Sequence, residues 1–121
     1  MQTAQKNFYK KLLGRRGEVT AKKYLEKSGY KILEKNFSTK FGEIDLIATK
    51  GETLVFIEVK TRSSVKFGYP AEAVDKKKRE KYFIVANEYL QKNKIVDKEC
   101  RFDVIEVLSG EVNHIENAFF L

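Results

Sequence analysis

The polarity pattern of the chain opens helical and turns extended. From about Ala4 to Lys27, apolar or small residues at Phe8, Leu12, Leu13, Gly17, Ala21, Tyr24 and Leu25 recur at spacings of three and four, which places them on one face of a helix. Ser28-Gly29 supplies the stop. Tyr30 to Phe37 reads as extended. Phe41 to Thr49 alternates, with Ile44, Leu46 and Ala48 opposite Glu43, Asp45 and Ile47. Lys50-Gly51-Glu52 is a turn signal, Thr53 to Lys60 a third strand, and Thr61 to Tyr69 a polar loop. After Pro70, Asp75 is placed to cap a second helix with an apolar stripe of Tyr82, Val85, Ala86, Tyr89 and Leu90, ending near Lys92-Asn93. Two more strands, Arg101 to Val107 and Val112 to Phe120, flank a turn at Ser109-Gly110-Glu111. Helix, three strands, helix, two strands predicts an α/β fold in which the second helix crosses over between strands of one sheet.

The third strand breaks its own pattern. Leu54, Phe56, Glu58 and Lys60 share one face and Val55, Ile57 and Val59 the other, so an apolar run ends by presenting a carboxylate and an ammonium together. If the hairpin turns on Gly51-Glu52, counting outward from a Lys50–Thr53 pair sets Asp45 opposite Glu58. Cross-strand neighbours lie roughly 5 Å apart at Cβ, where two like charges destabilise a sheet unless something positive sits between them. A divalent cation meets that need. Oxygen ligands without histidine or thiolate suit Mg²⁺ or Mn²⁺ rather than zinc. Asp45 and Glu58, with the Val59 carbonyl as a third ligand and Lys60 beside them, make the outfit for phosphodiester hydrolysis. The alternative is an ordinary strand-end pair with a solvated Asp45 beside it.

Composition narrows the class. At 121 residues with a formal net charge of +7, the chain is the length of one domain, 1–121, and expects an anionic partner, with nucleic acid preferred because its basic residues are spread over several segments. Apolar runs only a few residues long exclude a bilayer-spanning helix, which needs ~20. The first residues lack the apolar segment of a secretory signal, and the single cysteine, Cys100, offers no disulfide framework, so a cytoplasmic location and no membrane partner are expected. Cys100 and His114 each stand alone and read as packing or surface positions. Asp103 reads as structural.

The motifs resemble a known family. Gly14-Arg15-Arg16-Gly17-Glu18, Gly42-Glu43-Ile44-Asp45-Leu46-Ile47-Ala48, Phe56-Ile57-Glu58-Val59-Lys60-Thr61-Arg62, Ala73-Val74 with Lys78, and Arg101-Phe102-Asp103-Val104 are together similar to the bacterial YraN-like proteins. These are placed with the PD-(D/E)xK nuclease superfamily and are similar in fold to archaeal Holliday junction resolvases. The resemblance spans about Leu13 to Phe119. It implies a restriction-endonuclease-like core, a mixed central sheet flanked by helices, and a metal-dependent endonuclease acting on DNA, with a branched or Holliday-junction-like substrate by analogy. It carries over Asp45, Glu58 and Lys60 as catalytic residues and adds Glu18 from the first helix. The superfamily's usual proline before the first acid is replaced here by Ile44.

For the nucleic acid itself, the loop residues Thr61, Arg62, Ser63, Ser64 and Lys66 are placed nearest a scissile strand, with Arg15 and Arg16 extending the surface. Lys77 and Lys78, within Lys76-Lys77-Lys78-Arg79, read either as phosphate contacts or as a solvated helix end. Glu43 reads either as support for Asp45 or as solvent-exposed. Phe67 and Tyr69 read as base-stacking or sheet-packing residues. Cleavage of a four-way junction requires two cuts and hence a symmetric homodimer. The alternative function is a nucleic-acid-binding accessory protein on a nuclease scaffold, with weak or no cleavage of its own.

Overall fold

A computed structural model describes residues 2–62 and 75–119. Helix α1 runs Gln2–Lys27, followed by β1 Lys31–Thr39, β2 Gly42–Lys50, β3 Thr53–Arg62, α2 Lys76–Lys92, β4 Glu99–Leu108 and β5 Glu111–Ile115. The strands form one five-stranded mixed sheet in sequential order, antiparallel except for β3 and β4, which run parallel. Parallel neighbours need a crossover, and α2 lies within it. Among the described residues, five strands flanked by two helices form an α/β architecture consistent with a restriction-endonuclease-like core.

Local chemistry sets the helix ends. At the end of α1, Tyr30 N–H returns to the Leu25 carbonyl (2.9 Å) and Gly29 N–H to that of Glu26 (3.2 Å), with Gly29 at φ +88. This is a Schellman stop, sealed by Tyr30 packing in the same cluster as Leu25. At the start of α2, the Asp75 carboxylate accepts the Lys78 backbone N–H at 2.8 Å, the expected N-cap. Pro70 lies outside the described residues.

The central strand β3 is buried on both faces. Leu54 and Phe56 pack with Tyr82, Val85 and Tyr89 of α2, while Val55 and Ile57 pack with Ala21 and Leu25 of α1. Helix α1 covers one of these faces and the crossover helix the other, as parallel sheet neighbours require.

Strand β2 departs from simple alternation. Leu46 and Ala48 face α1, but Ile44 joins Ile47 on the α2 side. The change of face falls at Asp45, where the β1–β2 register passes from Phe37↔Ile44 to Lys35↔Leu46 without pairing Asn36 and Asp45. Asn36 has φ +52, a left-handed conformation that Asn tolerates better than most residues. Strand β5 is shorter than its apolar content predicts. It ends at Ile115, the chain turns at Glu116-Asn117, and the Asn117 N–H is taken by the Asp103 carboxylate (2.9 Å).

Asp103 anchors a polar network on the α1 side. It is fully buried and receives two bonds from Arg101, each 2.9 Å, and one 2.7 Å contact from His114 Nε2. His114 Nδ1 meets the Tyr24 hydroxyl at 3.0 Å, and Arg101 donates to the Tyr30 hydroxyl at 2.6 Å. Asp103 is thus structural, as its position suggested, whereas His114 is neither lone nor simple packing. Cys100 is exposed. Among the described residues, no helix is long and apolar enough to cross a membrane.

Candidate active site

Four acids converge where β2, β3 and α1 meet. The β2–β3 ladder follows the counted register as far as Leu46↔Ile57, and the next step opens. Rather than a regular pair with Glu58, Asp45 turns its carboxylate to accept the Val59 N–H at 2.8 Å. Glu18 arrives from the helix because its neighbour Gly17 is buried against β3: a Cβ at Gly17 would collide with the Thr61 hydroxyl. No larger residue lets α1 come so close. Carboxylate oxygens of Glu18, Glu43 and Asp45 lie within 4.8 Å of one another. With its amide nitrogen turned toward the acceptors, Asn36 donates to Glu43 (3.0 Å) and Glu18 (3.2 Å). The unusual backbone at Asn36 therefore aims its side chain into the acids.

The cluster is short of positive charge. Burial, then repulsion from the Glu58 carboxylate, pushes Asp45 up to about 8 against the opposing Val59 hydrogen bond, with Glu18 adding to the rise. Burial also raises Glu18, partly offset by Asn36, with Glu43 repelling it. Glu58, only 7 % exposed, is paired with the Lys78 ammonium at 2.7 Å.

These are hard oxygen donors without thiolate or imidazole, and a divalent cation of the Mg²⁺ class fits their chemistry. The grouping differs from the expected one. The structure keeps Glu58 beside Asp45 and adds Glu18 and Glu43, while Val59 contributes its N–H to the Asp45 carboxylate and Glu58 also holds Lys78.

Basic clefts open on both sides of the acids. One, of about 390 Å³, lies between the β1–β2 turn and the start of α2 and is lined by Phe41, Glu43, Lys77, Lys78, Lys81 and Tyr82 among others. The second, of about 450 Å³ between α1 and β1, includes Arg15, Glu18, Lys22, Lys23, Lys35 and Asn36. Glu43 belongs to the first and Glu18 to the second, so the acids sit where the two clefts approach each other.

The remaining predicted residues divide. Lys60 is half-buried two positions after Glu58, across from Glu106 on β4. Arg15 and Arg16 are exposed on α1, and Lys77 on α2. Lys78 is at the acids themselves. Thr61 packs beneath Gly17, and Arg62 pairs through Nε with buried Glu106 at 3.0 Å, so both face neighbouring elements of the fold and not an open loop. Ser63, Ser64, Lys66, Phe67 and Tyr69 lie outside the described residues. Sequence reasoning missed Asn36, whose signal was an Asn inside a strand pattern, and left Glu43 undecided. It also missed Glu106, which Asn113 supports at 3.3 Å.

Comparison with known proteins places the chain. Residues 17–107 match the model of uncharacterised protein family UPF0102. The chain belongs to that family. A UPF0102 protein of Caldanaerobacter subterraneus subsp. tengcongensis is 50 % identical over 121 residues, covering 94 % of this chain and 99 % of the relative. Another from Clostridioides difficile is 52 % identical over 105 residues, 85 % and 92 % of the two chains, and one from Persephonella marina 46 % over 108 residues, 89 % and 93 %. UPF0102 is the YraN family, so the resemblance read from the motifs is the family assignment. The UPF0102 match contains all four acids and Lys60, Lys77 and Lys78.

Proposed function

We propose that this UPF0102 protein is a metal-dependent endonuclease that hydrolyses phosphodiester bonds in DNA. The observation that carries the reading is the convergence of four acids between two lysine-lined clefts in a chain of net charge +7. A polyanion drawn along the clefts would cross the acids, and only a cation shared by acids and phosphate makes that meeting favourable.

Glu18, Glu43 and Asp45 would hold a Mg²⁺ or Mn²⁺ ion, with Glu58 and the Val59 carbonyl at its margin. Such an ion supplies charge neutralisation at the phosphoryl oxygens and lowers the pKa of bound water. Lys60 neutralises charge developing on the phosphate. Lys78, exchanging its Glu58 partner for a phosphate oxygen, helps seat the strand. Val59 N–H orients the Asp45 carboxylate, and Asn36 orients Glu18 and Glu43. A branched substrate, cut by a symmetric homodimer, is the version suggested by the likeness to junction resolvases.

A second reading is favoured by the Glu58–Lys78 pair, which already gives one of the acids a positive partner within the chain: a DNA-binding accessory protein on a nuclease scaffold. Calorimetric titration of Mg²⁺ and Mn²⁺ into the wild type and Asp45→Asn, with cleavage of a labelled four-way junction and a linear duplex in parallel, separates the two. The nuclease reading expects metal binding and metal-dependent cutting, both lost in the variant. DNA binding without metal uptake or cutting would leave the accessory reading standing.

A further inference from the structure

The cleft beside α2 carries features that phosphodiester hydrolysis does not need. Phe41, at the tip of the β1–β2 hairpin, is 40 % exposed and lines the cleft. The Lys40 ammonium lies 5.2 Å from its ring centroid. Across from it, Lys77 and Lys81 are one helical turn apart on α2 and share a face. Neither makes an ion pair among the described residues. The two acids of the cleft are engaged: Asp75 caps α2, and Glu43 receives Asn36.

An exposed aromatic ring beside lysines without partners is the combination by which single-stranded nucleic acid is held, the base stacking on the ring and the backbone following the charges. The cleft volume, about 390 Å³, is near the lower bound of small-ligand pockets and matches a single nucleotide. A base inside a duplex has both faces stacked on its neighbours and cannot meet Phe41; only one out of the stack can.

We propose that this cleft binds one unpaired nucleotide next to the phosphate presented to the acids, its base against Phe41 and its phosphate on Lys77 and Lys81. Resting on the nuclease reading, this assigns the substrate class: DNA with an unpaired nucleotide beside the cut, as at a flap, bulge or single-strand boundary. Selection then comes from the base face and not from base identity.

The test reads binding apart from cutting. A fluorescein-labelled 15-nucleotide single strand, and the same strand with central abasic sites, are titrated by anisotropy in Ca²⁺ with the wild type, Phe41→Ala and the double variant Lys77→Ala/Lys81→Ala. The wild type is expected to prefer the intact strand by about tenfold, and Phe41→Ala to lose that preference while keeping its affinity for the abasic strand. The lysine variant should weaken both strands alike and reduce the salt slope by about two. Phe41→Trp provides a second reading, because the chain has no tryptophan: the intact strand should quench its fluorescence and the abasic strand should not. Equal binding of intact and abasic strands by the wild type, or an unchanged preference in Phe41→Ala, overturns the pocket even if Mg²⁺-dependent cutting of duplex is observed. Phe41-dependent binding without cutting in any metal keeps the pocket and removes the nuclease reading instead.

Discussion

Two of the interior acids of this protein, Asp103 and Asp45, sit in surroundings built in opposite ways. Asp103 is surrounded by donors: Arg101 twice, His114 and the Asn117 N–H. Burial alone would raise its pKa, but these hydrogen bonds, led by His114 and Arg101, hold it below the ordinary carboxylate value. Asp45 receives one N–H from Val59 and sits among Glu18, Glu43 and Glu58, so burial and repulsion push it up to about 8. The first arrangement is complete within the chain. The second is not balanced by donors in the same way, and under the nuclease reading a bound cation would supply the missing charge.

The largest effect expected from breaking this contrast is on activity. Asp45→Asn keeps an oxygen to accept the Val59 N–H but cannot supply an ionised carboxylate. Under the nuclease reading, metal-dependent cleavage should fall by about 10²–10³-fold, while metal-free stability in urea should be unchanged or higher by up to about 2 kcal/mol, since the burial and repulsion of the acid are relieved. Asp103→Ala should show the reverse pattern. Removing a fully buried partner of Arg101 costs about 3–5 kcal/mol, measurable as a lower urea midpoint. A variant of Asp45 that unfolds like that of Asp103 would show that both clusters are structural.

The Asp103 network also fixes a pH signature. Its folded pKa lies below the unfolded value near 3.8, so the unfolded state binds the proton more readily. The stabilisation is fully present above the unfolded value and is lost as pH falls through the depressed folded value. The stability gap between wild type and Asp103→Ala should therefore be widest near neutrality and close in acid. Thermal unfolding from pH 7 downward measures it, and a gap independent of pH would assign the cost of the substitution to packing alone.

What could be read from the sequence follows from how local each signal is. The Gly29 stop of α1, the Asp75 cap of α2, the hairpin on Gly51-Glu52 and the crossover before β4 all rest on adjacent residues or simple periodicity, and all are present. Counting register brought Asp45 to the right end of β3. The missing parts are those that depend on three-dimensional placement. No polarity pattern reveals that Asn36 takes positive φ or that Asp45 goes unpaired in the ladder. The azimuth of α2 decides that Lys78 meets Glu58, and spacing along α2 does not contain it. Arg62 and Thr61 looked like loop residues because β3 continues beyond its last apolar position.

Gly17 offers a mid-sized way to sharpen the comparison, because it links α1 to only one of the two regions. Gly17→Ala places a methyl on Thr61 and must displace that side chain or part the helix from the strand, a clash of about 1–3 kcal/mol. Glu18 moves with the helix. Cleavage should drop by more than the loss of stability explains at temperatures where the variant is fully folded, whereas the His114–Asp103 contact, followed by the His114 ring signals in NMR, should shift little. Larger changes at His114 than at Glu18 would mean that the helix transmits strain to the wrong cluster.

The smallest expected effect falls on Asn36, where backbone and side chain make separable contributions. At φ +52 an alanine carries a backbone penalty of about 1–2 kcal/mol, and a glycine carries essentially none, while both remove the amide that bridges Glu43 and Glu18. Asn36→Gly should therefore unfold close to the wild type and Asn36→Ala earlier. If the amide serves to hold the two carboxylates for a metal, both variants should lose a similar factor of about tenfold in Mn²⁺ affinity. Equal metal affinity in all three proteins would mean that Asn36 is there for its backbone, as the residue that permits the strand to turn Asp45 toward the acids, and that its bridging amide is a consequence of that turn.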